Sequence, residues 1–166
     1  EHHKRQHLLI EAMRHTRSPV KLRLCGVSGG SGYVLQLKKA IASRGLQNRV
    51  HFENEWISEQ RKVDLLSQCL AAAYIPLDED SYGYPSLEAS HSSKPILATV
   101  DSGGVCELVE HGVNGLIAEP DPKALAEAMD RLYLDRKGTQ KMGLNAASRV
   151  GEMNISWSHV LERLLT

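Results

Sequence analysis

The chain has 166 residues, which suits one core, because single domains run to roughly 100–200 residues before a chain divides. Twenty basic residues balance twenty acidic ones, so no global field recruits nucleic acid or an anionic membrane, and any bound anion must be gripped locally. The uncharged run Leu65–Leu77 falls short of the roughly 20 apolar residues a membrane span needs, and Cys25, Cys69 and Cys106, odd in number and each in an apolar stretch, read as reduced core thiols of a cytoplasmic protein.

The segment from Lys4 to Met13 places Leu8, Leu9 and Ala12 on one stripe, the pattern of an amphipathic helix. No apolar segment of signal-peptide type precedes it. Val20–Cys25 reads as a strand, followed by a glycine-rich loop from Gly26 to Gly32 and a helical pattern from Tyr33 to Ser43. That loop matches neither a Walker pattern nor the spacing of a dinucleotide fingerprint. Short apolar runs follow at Arg49–Phe52, Ala71–Pro76, Pro95–Val100 and Gly115–Ala118, separated by segments able to form helices. Strand and helix therefore alternate, which predicts an α/β fold with a doubly wound parallel sheet whose ligands bind beyond the strands' C-terminal ends. Asp121 and Pro122 suit the N-cap and first position of a helix carrying Leu125, Ala128, Met129, Leu132 and Tyr133 on one stripe. A further helix is expected over Thr139–Val150, and a last one puts Trp157, Val160, Leu161 and Leu164 on a packing face.

The chemistry concentrates in Pro76–Ser90, which leaves a buried strand, turns at Gly83 and starts a helix at Pro85. Free amides and the positive dipole end of such a helix favour a phosphate, and Gly83 lets a ligand approach the backbone. One turn further on, the Glu88 carboxylate offers acceptors to the two hydroxyls of a ribose. Phosphate and ribose together point to a nucleotide. Read by itself, Glu88 could equally be a solvated or helix-dipole glutamate, Asp80 a turn residue, Lys4 a solvated charge and Asp101–Gly104 a turn and cap.

This stretch resembles the group 1, or family 4, retaining glycosyltransferases of GT-B fold, whose donor domain carries a Glu-x7-Glu signature between strand and helix. The likeness continues through Lys94–Thr99, Asp101–Gly104 with Glu107–Val109, Gly112–Ile117 and the Asp121–Pro122 helix start. The resemblance implies the C-terminal, Rossmann-like donor half of a GT-B enzyme. It makes residues 1–166 the donor-binding domain, with the acceptor-binding domain and the first donor-domain strand lying before Glu1. It implies that Glu88 binds the donor ribose and that amides around Gly83, Tyr84 and Ser86 face the sugar and diphosphate. Counting back eight from Glu88 lands on Asp80, where the family has a sugar-binding glutamate; a one-residue shift would give that role to Glu79. Lys4 matches the family's diphosphate-binding lysine, although the glycine that usually follows is Arg5 here. Trp56 and its neighbours become candidates for base contact.

The expected donor is a UDP-, GDP- or ADP-sugar, with no metal and no further cofactor, and the acceptor a glycan, polysaccharide or lipid-linked sugar, which a membrane-associated whole enzyme would meet through its other half. The isolated chain is then expected to bind donor and transfer nothing. Two other classes compete: a non-catalytic nucleotide-binding module, and a nicotinamide-dependent oxidoreductase, which lacks its glycine fingerprint here.

Overall fold

A computed structural model describes residues 2–27, 30–155 and 157–165. In chain order the elements are a 3-10 turn at His2–Lys4, then α1 Gln6–Ala12, β1 Leu22–Cys25, α2 Ser31–Ser43, β2 Val50–Glu53, α3 Glu59–Gln68 and β3 Ala72–Ala73. These are followed by α4 Tyr84–His91, β4 Ile96–Thr99, α5 Val105–Leu108, β5 Gly115–Ala118, α6 Pro122–Leu134, α7 Arg136–Glu152 and α8 Trp157–Leu165. Every ladder between these strands is parallel, as crossover helices between successive strands require.

The expected single sheet is in fact two ladders, β1 with β2 and β3-β4-β5. Leu22 donates to Arg49, just before β2, and Gly26 to Glu53 at its end, so alternation turns the backbone of Arg23 and Cys25 to the opposite edge. Ala72 and Tyr74 likewise donate to Pro95 and Leu97, which turns Ala73 away from β4. Those two outward edges line the same cleft, and no ladder joins them among the described residues. The ladders are joined by packing instead. Leu24 and Val50 from the first share one apolar cluster with Ile75, Leu97 and Leu116 from the second, beneath residues of α1, α2 and α6.

Period-two alternation in the second ladder makes two cores from one strand. Leu97 faces α1 and α6, while its neighbours Ile96 and Ala98 face Ala89 of α4, Val105 and Leu108 of α5 and Val150 of α7. Helix α6 begins where expected: the Asp121 carboxylate accepts from the amides of Lys123 and Ala124 at 3.0 and 3.1 Å, and Leu125, Met129 and Leu132 are buried. Helix α7 starts three residues earlier than Thr139 because Asp135 caps it, accepting from the Gly138 amide at 2.9 Å.

Three expectations need correction. The first helix is interrupted, with Lys4 in the 3-10 turn and Arg5 between turn and helix at φ 52°. On the expected packing face of α8, Leu161 and Leu164 are 53% and 76% exposed, while the side chains of Trp157 and Val160 fall outside the described residues. The cysteines are free but only half-buried. Among the described residues no helix is long and apolar enough to cross a membrane.

Where α7 crosses the end of α4, Gly143 sits against the backbone carbonyl of Ser93, and a Cβ there would collide with it. Ala for Gly inside a helix ordinarily stabilises by roughly 0.5–1 kcal/mol. Gly143→Ala is expected to do the opposite, lowering stability by about 1–3 kcal/mol as overpacking does, measured by urea denaturation.

Candidate functional site

The cleft between β1 and β3 widens at the strands' C-terminal ends into a cavity of about 920 Å³. Its walls include Lys4, Gly26, Val27, Tyr33, Asn54, Tyr74, Glu79 and the Gly83–Pro85 turn. A cavity beyond the C-terminal ends, at the place where one group of parallel strands gives way to another, is where open α/β sheets bind ligands.

Tyr74, the residue after β3, organises the cavity floor. Its amide continues the ladder to Leu97, the residue is buried at 9% exposure, and its hydroxyl meets both Lys4 Nζ at 2.7 Å and Glu79 Oε2 at 2.8 Å. The Lys4 ammonium also donates to the Glu79 carboxylate. Burial alone would push the Glu79 carboxyl up, but its bonds from Lys4 and Tyr74 outweigh that and hold it below the usual carboxylate range. Burial opposes the Lys4 charge in the same way, and the bonds to Glu79 and Tyr74 raise its pKa nonetheless.

The Tyr74 ring also dictates the turn above it. Gly83 has φ 71° and ψ 136°, a conformation open mainly to glycine, and a Cβ there would run into the ring. Helix α4 then starts at Tyr84 with Pro85 in its first turn. The Ser86 hydroxyl donates to the carbonyls of Tyr82 and Gly83. The Ser86 amide, expected to face a ligand, instead donates to the Gly83 carbonyl at 3.2 Å and closes the first turn. Pro85 has no amide, so the amides left to point out of the helix are those of Gly83 and Tyr84, with the Tyr84 side chain 82% exposed at the rim.

The other expected residues are placed unevenly. Asp80 is exposed and is not among the cavity-lining residues, whereas its neighbour Glu79 is. The loop Asp78–Asp80 is docked on the loop after β4: Asp78 donates to the Asp101 carbonyl at 2.9 Å, and Gly104 to the Glu79 carbonyl at 2.7 Å. That docking leaves Asp80 on the outer side. Glu88 lies one turn into α4, beside but not among the cavity-lining residues, and Lys62 of α3 donates to it at 2.6 Å. Trp56 is 77% exposed, while Phe52 and Asn54, just before it, reach the cavity. Among the described residues no group of His, Cys, Asp or Glu is arranged to hold a metal ion.

Four residues that the sequence did not single out complete the site. Tyr74 carried a signal, as an aromatic residue within the apolar run Ala71–Pro76, five positions before Glu79. Lys62 and Tyr33 carried none, since each lies in an ordinary helical pattern. Arg5 stood out only as a departure from glycine. The residue is 7% exposed, and its guanidinium grips Asp101 through two bonds of 2.8 Å. The Arg5 bonds hold the Asp101 carboxyl below its usual range in spite of burial. A left-handed backbone at a non-glycine residue is disfavoured by about 1–2 kcal/mol, and charge-assisted bonds of this kind offset that.

A family model described as glycosyl transferases group 1 matches residues 1–149. Alpha-1,3/1,6-mannosyltransferase ALG2 of Mus musculus is 35% identical over 117 residues, covering 70% of this chain and 28% of the relative. D-inositol 3-phosphate glycosyltransferase of Nocardia farcinica is 32% identical over 154 residues, covering 87% and 32%. The structure of Anabaena Alr3699/HepE in complex with UDP and glucose superposes with a TM-score of 0.85 at 29% identity, over 99% of this chain and 45% of that one. The C-terminal domain of the group 1 glycosyl transferase LpcC from Francisella tularensis shares the fold at a TM-score of 0.76 and 22% identity, over 92% and 80%. The chain thus spans about a third or less of the curated relatives' length.

A carboxyl whose folded pKa is depressed adds stability that is complete above its ordinary value and fades as pH falls through the folded one. Glu79→Gln should therefore unfold about 1–2 kcal/mol more easily near neutral pH, between the values for surface and buried pairs. The difference from wild type should shrink as pH drops below 4.5, the ordinary value for the group. Thermal unfolding monitored across the acid range measures both.

Proposed function

The chain belongs to the group 1 glycosyl transferases, and on that premise we propose that its cavity binds the nucleoside-diphosphate sugar from which a longer enzyme transfers a hexosyl group. The observation that carries this reading is the convergence on one cavity of the Lys4 ammonium, the Gly83–Tyr84 turn at the start of α4 and the Glu79 carboxylate. Cation and amides suit a diphosphate, and a carboxylate beside them suits a sugar hydroxyl.

In this reading Glu79, rather than Asp80, holds the transferred sugar, and the Gly83 and Tyr84 amides with Lys4 take the diphosphate. Glu88 receives the ribose: a carboxylate has about four acceptor positions, so it can serve a diol while keeping Lys62. Val27, Phe52 and Asn54 stand where the base would rest. As the glycosidic bond breaks, negative charge grows on the departing diphosphate, and Lys4 and the amide dipoles are already aimed at it. The acceptor attacks from the leaving-group face, so the anomeric configuration is retained. A parallel strand of the longer protein fills the space between β1 and β3, and a second domain presents the acceptor. The chain by itself then binds donor without transferring sugar. The UDP bound by the HepE structure at 29% identity supports a nucleoside diphosphate as the ligand.

Thermal unfolding of the full chain with UDP, GDP or ADP tests the proposal. One of the three should stabilise it by about 2.7 kcal/mol at a hundredfold excess over its dissociation constant, and the gain should be largely lost in Glu88→Ala. Unchanged unfolding with all three at millimolar concentration would remove the donor-site reading.

A further inference from the structure

Arg5 is the only residue between the 3-10 turn and α1, and everything about it fixes direction. Its backbone is left-handed, so the chain turns sharply there and Lys4 does not continue along the face of α1. Its side chain meets acceptors on two strands at once. Nε donates to the Ile75 carbonyl at 2.8 Å and Nη2 to the Pro76 carbonyl at 2.7 Å, both on the extension of β3. Nη2 also reaches Thr99 Oγ1 at 2.7 Å at the end of β4, and the Asp101 carboxylate is held through both of its oxygens. A planar fork can satisfy such a set in one orientation only. Beside it, the Leu77 amide donates to the His3 carbonyl at 2.9 Å.

We propose that Arg5 is a positioning residue for the donor site, a clamp that seats the turn carrying Lys4 on the C-terminal ends of β3 and β4 and so sets the Lys4–Glu79 contact. Arg5 itself is not among the cavity-lining residues and acts through its neighbour. The clamp also explains why arginine is tolerated where the resembling family has glycine. Glycine satisfies the left-handed turn through backbone freedom alone, whereas here the turn is held by bonds from the side chain. The same guanidinium braces Asp101, whose carbonyl receives the Asp78 amide, so both loops flanking Glu79 depend on it.

The inference rests on the donor-site reading only for its ligand, and its test has an arm that needs no ligand. Arg5→Gly keeps the left-handed turn and removes the fork; Asp101→Asn keeps the shape and removes the charge that orients it. In each, carbon-detected NMR follows the titration of the Glu79 carboxyl, which faces Lys4 and His3 from the turn and Tyr74 from the end of β3. Loosening the clamp should move the Glu79 midpoint upward, towards its ordinary value, in protein that is still folded, a change that lost global stability would not produce. Binding of UDP, GDP or ADP, whichever the wild-type chain takes, should weaken about tenfold, which corresponds to roughly 1.4 kcal/mol. Should Arg5→Gly fail to fold, Asp101→Asn decides. If the wild-type chain binds none of the three nucleotides, the donor reading fails while the titration still judges the clamp. A Glu79 midpoint unmoved in the folded variants would overturn it.

Discussion

The site hangs on one side chain at the end of a strand. Tyr74 belongs to the sheet through its amide, to the core through its ring and to the cavity through its hydroxyl. The ring obliges residue 83 to be glycine, and that glycine sets the angle at which α4 leaves the sheet. The hydroxyl obliges Lys4 and Glu79 to share one point. A buried phenol needs a partner, and here it has a donor and an acceptor that are also the cavity's two charges. Geometry set in the core is thereby passed to the chemistry without an intervening flexible link.

Charge is placed in the same economical way. The chain is neutral overall, and cations in and around the cavity are matched by carboxylates: Lys4 by Glu79, Arg5 by Asp101, Arg23 by Glu53 and Lys62 by Glu88. Such pairs keep the cations ordered and partly dehydrated. On the proposed reading an arriving diphosphate would meet groups that are already oriented, and it would have to share or displace a carboxylate to reach them. Discrimination follows: a doubly charged ligand with several acceptor oxygens competes well against one carboxylate, and a weakly charged one competes poorly.

Much of this was legible in the residues. The Asp121–Pro122 start of α6, the parallel strands and the turn at Gly83 each follow from a local rule, because cap, period and positive φ act over a few residues. The features that were not legible depend on distant partners. Nothing near Arg5 announces a left-handed turn, since its reason lies on residues 75, 76, 99 and 101. Counting back from Glu88 reaches Asp80, and counting does not register that the loop is docked on Gly104, with Glu79 at the cavity and Asp80 exposed. The Ser86 amide looked free for the same reason, as its acceptor, the Gly83 carbonyl, is offered only once the turn has formed. The stripe on α8 is a correct reading of amphipathicity, and only the tertiary arrangement tells that its leucines lie exposed.

In the isolated chain the division of the strands into two ladders inverts the usual gradient of rigidity across an α/β sheet. Central strands ordinarily shield their amides best from solvent, and edge strands least. Here Arg23, Cys25 and Ala73 turn their backbone towards a cleft in the middle of the molecule, while the ladder bonds lie to either side. Hydrogen exchange should accordingly be fastest along that inner seam and slowest in β4, which is paired on both sides. In the isolated chain the β1 and β3 loops are joined across the seam by side-chain packing, and the parallel strand proposed to fill it would tie them through backbone bonds.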